Sequence, residues 1–135
     1  MSRYIEKAKE LRSDPALHCN CAQAVILPFA EEAGISEETA RKLASNFGGG
    51  MKMASICGTV TGAAMVLGLF GMDDPRTLNQ FYKMMKDNHE GHLDCASLLR
   101  INREKGGEKK AHCDAMIYES IGNVETILRE KGLLQ

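Results

Sequence analysis

At 135 residues the chain is long enough to bury a core without covalent staples, and its formal net charge of −1 gives no basic excess for nucleic acid. Tryptophan is absent and aromatics make up 5%, whereas methionine is abundant at 8, a composition that reads as packing of an irregular core. One cysteine-containing helical domain is expected over 1–135.

In chain order, Tyr4, Ile5, Ala8 and Leu11 recur at helical spacing and predict a first helix near 2–13, ended by Asp14-Pro15. This segment is charged at a helical period and has no apolar signal-peptide core. A cytoplasmic protein is therefore expected, its thiols reduced unless chemistry uses them. Asn20 with Gln23 three residues on predicts a capping box, which puts Cys21 at the first position of a helix running to about Ala33. Pro28 predicts a kink or break inside that helix, and Gly34 its carboxyl-terminal cap. Ser36 caps a short helix over 37–47 that exits through Gly48-Gly49-Gly50.

The rest of the chain reads as cover for 47–72. This stretch holds Cys57 and seven of the 13 glycines, and it carries no charge from Ala54 to Met72. It predicts a buried helix starting near 53–55. The uncharged run of 19 residues has the length of a membrane span, but its Ser, Thr and Gly content favours a buried soluble helix, and no membrane partner is expected. Gly58 and Gly62 form a small face with Ala63, at a cost of about 1 kcal/mol of helix propensity per glycine. Such a face lets another helix come close, either one of this chain or the same helix in a homodimer. The glycine triplet is no phosphate loop, because no strand precedes it and no Lys-Ser/Thr pair follows in register.

Asp73 or Asp74 with Pro75 starts the next helix, which places Leu78, Phe81, Tyr82 and Met85 on one side. Asp94 caps a short element that opens at Cys95. The basic residues Arg100, Arg103, Lys105, Lys109 and Lys110 are diluted by Glu104 and Glu108, and read as a solvated loop. A last helix over about 108–131 carries Cys113, Met116, Ile117, Ile121, Val124 and Leu128 at spacings of three and four. Strand alternation is absent. The expected fold is all-α, a compact bundle of about five to six helices around the Gly-rich central one.

Cys21, Cys57, Cys95 and Cys113 each fall at or near a predicted helix start, where unpaired N–H groups and the dipole favour thiolate over thiol. Four such thiolates from four elements could converge on one metal or cluster. Cys19 stands apart. The spacings of 36, 38 and 18 match neither a zinc ribbon nor a ferredoxin run, and Cys19-Asn20-Cys21 is not a Cys-x-x-Cys motif. Cysteine is also a good small hydrophobe, so buried inert thiols stand as the plain alternative. Of His18, His89, His92 and His112, three lie close in sequence to a cysteine, but each reads more readily as a surface or capping residue than as a ligand.

Several blocks together resemble a known family. They are Asn20-Cys21-Ala22-Gln23-Ala24-Val25, Phe47-Gly48-Gly49-Gly50-Met51, Cys57-Gly58-Thr59-Val60-Thr61-Gly62 with the AAMVLGLFG that follows, Cys95 with Leu98, and Cys113. Over nearly the whole length the chain resembles the C_GCAxxG_C_C family, described as redox-active. Thr59 stands where the pattern more often has alanine, a change expected to alter packing more than chemistry, and Cys19 is not one of the family cysteines. A similar domain occurs in a multihaem protein of the split-Soret cytochrome type, where it is associated with an iron–sulfur centre. The resemblance thus implies Cys21, Cys57, Cys95 and Cys113 as cofactor and metal ligands of an electron-transfer protein that binds an iron–sulfur cluster and serves an unidentified redox partner. The alternatives are a thiol–disulfide protein in which Cys57 attacks and Cys21, Cys95 or Cys113 resolves, a structural zinc site, and a structural or interaction protein with inert cysteines.

Overall fold

Side chains that answer the orphan N–H groups set most of the helix starts. Ser2 caps α1 (Arg3–Ser13), and Asn20 with Gln23 forms a reciprocal capping box on α2 (Cys21–Ile26). Ser36 caps α4 (Glu37–Leu43), Asp74 with Pro75 opens α6 (Pro75–Asp87), and Asp94 caps α7 (Cys95–Glu104). The remaining helices are α3 (Ala30–Ala33), α5 (Gly58–Leu69) and α8 (Lys109–Glu130). The computed structural model describes residues 2–134, and among them there is no strand, only a single-residue bridge between Ile56 and Asp94.

The eight α-helices exceed the five to six expected. Pro28 is the main reason: it turns Leu27–Phe29 into a 3-10 segment, so the helix expected to reach Ala33 becomes α2 and α3, the latter closed by Gly34 at φ 83°. The central helix also starts later than its composition implies. Met51, Lys52 and Ala54 take φ of 60°, 59° and 58°, left-handed values that no right-handed helix passes through, and α5 begins at Gly58 with Cys57 as its N-cap.

α5 lies between α2 and α8, which together supply most of the core. Its Gly58–Gly62 face is used within the chain, against α2. A Cβ on Gly58 would sit 2.7 Å from the Phe47 carbonyl oxygen and 3.2 Å from the Ala22 nitrogen, and one on Gly62 would sit 3.0 Å from the Ala22 carbonyl oxygen. On the other side, Val60, Ala63, Val66 and Leu67 of α5 are buried in one core cluster with Met116, Ile117, Ile121, Val124 and Leu128 of α8. Each of the larger side chains contributes about 1.5–3 kcal/mol by leaving water. α1 closes the far side through Tyr4, whose ring stacks on Phe29 at 4.5 Å. Among the described residues no helix is long and apolar enough to cross a membrane.

Candidate functional site

The capping box fixes Cys21 at the start of α2: Gln23 N–H donates to Asn20 Oδ1 at 2.8 Å, and Asn20 N–H donates to Gln23 Oε1 at 2.9 Å. Asn20 Nδ2 also donates to the carbonyls of Ala44 and Ser45, both at 3.2 Å, which ties this helix start to the end of α4.

Cys57 and Cys95 are held beside one another by backbone. Cys57 N–H donates to the Leu93 carbonyl at 2.8 Å, and Cys95 N–H donates to the Ser55 carbonyl at 2.7 Å. Gly50 permits this approach. Its φ is 62°, and a Cβ there would fall 2.5 Å from Ser55 backbone atoms and 2.9 Å from the Cys95 Cβ. Cys113 sits about one turn into α8, on the same helix face as Met116 and Lys109.

These four segments bring Cys21, Cys57, Cys95 and Cys113 to the wall of one cavity of about 270 Å³. Arg12, Lys109 and His112 supply its basic groups, and Leu98, Leu99 and Met116 its apolar surface. Among the described residues no carboxylate lines it. Cys57 is buried, while the other three are half-buried, and all are free thiols. Cys19 lies outside. Its sulfur faces Arg41 Nη1 at 3.5 Å, and its carbonyl accepts from Arg12 Nη1 at 2.8 Å.

Cys21 and Cys113 are each the strongest influence on the other's ionisation. Their interaction favours the thiolate at Cys113 and the thiol at Cys21, so the two titrate in opposite directions. Cys113 is brought down to about 6, first by the Cys21 thiol and then by Arg12 and Lys109, against the opposing effect of burial. Cys21 is pushed up by Cys113 and by burial. Burial also raises Cys57, while the Thr59 hydroxyl and the backbone N–H groups of Thr59 and Val60 act the other way. Cys95 is raised by burial and by the negative charge of Cys57 and Cys113 in their ionised forms.

The donor set is soft and suits iron–sulfur chemistry by type. A single zinc ion would need sulfurs about 4 Å from one another, given a Zn–S bond of about 2.3 Å. Among the described residues no group of three or more His, Cys, Asp or Glu converges to hold a metal ion. Of the histidines, His89 Nε2 contacts Glu119 Oε1 at 2.8 Å, His92 Nδ1 lies 3.9 Å from Asp94 Oδ1, and His18 sits on a loop at φ 48°. Only His112 reaches the cavity wall.

Two further cavity residues were not singled out from the chain. Arg12 lies near the end of α1, where nothing local marks it as a cavity residue. Lys109 reads in the sequence as part of a solvated loop, although its place four residues before Cys113 puts both on one helix face.

An all-α fold in which four separate segments deliver thiols to one cavity defines a cysteine-centred protein. The sequence profile of the family described as "Putative redox-active protein (C_GCAxxG_C_C)" matches residues 19–127, and the chain belongs to that family. No curated protein and no solved structure matches it.

Proposed function

We propose that the protein is a thiol–disulfide redox protein whose working couple is Cys113 with Cys21. The observation that carries this reading is that both thiols line one cavity and govern each other's ionisation, Cys113 predisposed to ionise and Cys21 to keep its proton. Thiolate is the attacking species, which assigns attack to Cys113 rather than to Cys57, whose burial disfavours its charge. The Cys113 thiolate attacks a sulfur of a substrate disulfide, that S–S bond breaks, and one substrate thiolate leaves. Cys21 then loses its proton and attacks the Cys113 sulfur of the mixed disulfide. The second substrate thiolate leaves as the Cys21–Cys113 bond forms, and two electrons have passed from the protein to the substrate.

A second reading has its own support, since all four thiols line the same cavity. Cys21, Cys57, Cys95 and Cys113 would there hold an iron–sulfur cluster, which supplies one-electron transfer when bound. Arg12 and Lys109 would offset its negative charge, and the apolar wall would limit water.

Anaerobic purification from iron-replete cells followed by iron, sulfide and thiol assay separates the two. The first reading expects colourless protein that loses two free thiols on treatment with a small disulfide. Brown protein with stoichiometric iron and acid-labile sulfide would overturn it in favour of the second.

A further inference from the structure

The charge around the cysteine cavity is one-sided. Arg12 and Lys109 line it, and among the described residues no Asp or Glu does. Arg12 is held at this wall, because Nε donates to Asp114 at 2.6 Å and Nη1 donates to the Cys19 carbonyl at 2.8 Å. Asp114 offsets part of its charge, but the same carboxylate also accepts from Lys110 Nζ at 3.0 Å. One carboxylate is shared between two cations. Asp94, beside Cys95, is occupied in capping α7, where Ser97 N–H donates to it at 2.8 Å. The volume of about 270 Å³ falls just under the roughly 300–1,000 Å³ typical of ligand pockets, so the space suits a small molecule.

Resting on the thiol–disulfide reading, we infer that the cavity's substrate is a small anionic disulfide, one that carries a carboxylate on each arm. Its carboxylate pairs with Lys109 and Arg12 as its sulfur meets Cys113, while the apolar wall takes the connecting methylenes. Attack by Cys113 breaks the substrate S–S bond and releases one carboxylate-bearing thiolate. Attack by Cys21 on the mixed disulfide releases the other, with the proton of Cys21 passing to solvent.

The test uses the whole reduced protein with 3,3′-dithiodipropionate, which is dianionic, and cystamine, which is dicationic. Each rate is divided by that of 2-mercaptoethanol with the same disulfide, which removes intrinsic leaving-group differences. The normalised rate for the anionic disulfide is expected to exceed that for the cationic one by about 10-fold or more at low salt. That ratio should fall in Lys109→Gln, reverse toward cystamine in Lys109→Glu, and shrink with added salt. Lys109 is exposed at a helix start, so these variants keep the fold. A ratio at or below one, or one unchanged by Lys109→Glu while both probes still close the Cys21–Cys113 bond, overturns the anionic preference alone. Failure of every probe to close that bond overturns the thiol–disulfide reading with it.

Discussion

The Thr59 hydroxyl lies 3.2 Å from the Cys57 sulfur, in the buried first turn of α5. The Thr59 side chain touches one of the four cavity cysteines. The contact is chemical as well as steric, because the hydroxyl draws the Cys57 thiol down against the effect of burial. Thr59→Val removes the hydroxyl at nearly constant volume, and the bond from Ser120 Oγ to the Thr59 carbonyl at 2.8 Å needs no side chain at 59. Alkylation of Cys57 at pH 8.5, followed by peptide mass spectrometry, should slow in this variant. Stability in urea should change by less than about 1.5 kcal/mol. Faster alkylation of Cys57 would contradict the contact's assigned role.

The two glycines that face α2 should not tolerate a side chain. In Gly58→Ala the new methyl meets the Phe47 carbonyl oxygen, backbone that cannot swing aside, and Gly62→Ala crowds the Ala22 carbonyl oxygen. Each should lose about 1–3 kcal/mol in urea unfolding. Gly68 is on the same helix but meets nothing within 4 Å, so Gly68→Ala should stabilise by roughly 0.4–1 kcal/mol. Equal effects at 58 and 68 would mean that α2 and α5 are not in close contact.

Alkylation of Cys113 should follow a pH profile with its midpoint near 6, where that thiol is held. The sign follows from the thiolate being the nucleophile: the rate is low below the midpoint, rises through it, and is flat by neutral pH. The midpoint is the informative quantity, because intrinsic nucleophilicity falls along with pKa and leaves the plateau rate modest. Cys21→Ala removes the partner thiol. In Cys21→Ala the midpoint should move up toward the ordinary thiol value of about 8.5. A midpoint already near 8.5 in the unmodified protein would contradict the pairing.

Arg12 and Asp114 join α1 to α8 through a half-buried ion pair at 2.6 Å. Burial raises the Asp114 carboxyl, but its bonds to Arg12 and Lys110 outweigh that and hold it below the ordinary aspartate range. Its stabilising contribution is therefore full above the ordinary value of about 4 and lost as pH falls through the lower folded value. Asp114→Asn should cost about 1.5–3 kcal/mol at neutral pH and remove this acid limb from the stability profile. Unchanged urea unfolding at pH 7 would contradict the pair's importance.

Where a local chemical rule decides the backbone, the chain could be read directly. Asn20-x-x-Gln23, Ser36, Asp74-Pro75 and Asp94 each cap the helix they precede, and Pro28 and Gly34 break and close the segments expected. Left-handed backbone at Met51, Lys52 and Ala54 was not legible, because these are good helix formers and only the packing of Gly50 against Ser55 and Cys95 demands another course. The placing of Cys21, Cys57 and Cys95 at helix starts was legible, but the pairing of Cys21 with Cys113 was not. Nothing local records that α2 and α8 meet. Arg12 was hidden for the same reason, since its partner Asp114 lies 102 residues away in sequence.

The Cys21–Cys113 couple is tested most directly by mapping the bond that forms when the reduced protein meets one equivalent of a small disulfide. After acid quenching, alkylation and proteolysis, a peptide pair joining Cys21 to Cys113 is expected in the unmodified protein and in Cys57→Ser, and absent in Cys113→Ser. A bond that instead joins Cys57 to Cys95, or no intramolecular bond in folded protein, would contradict it.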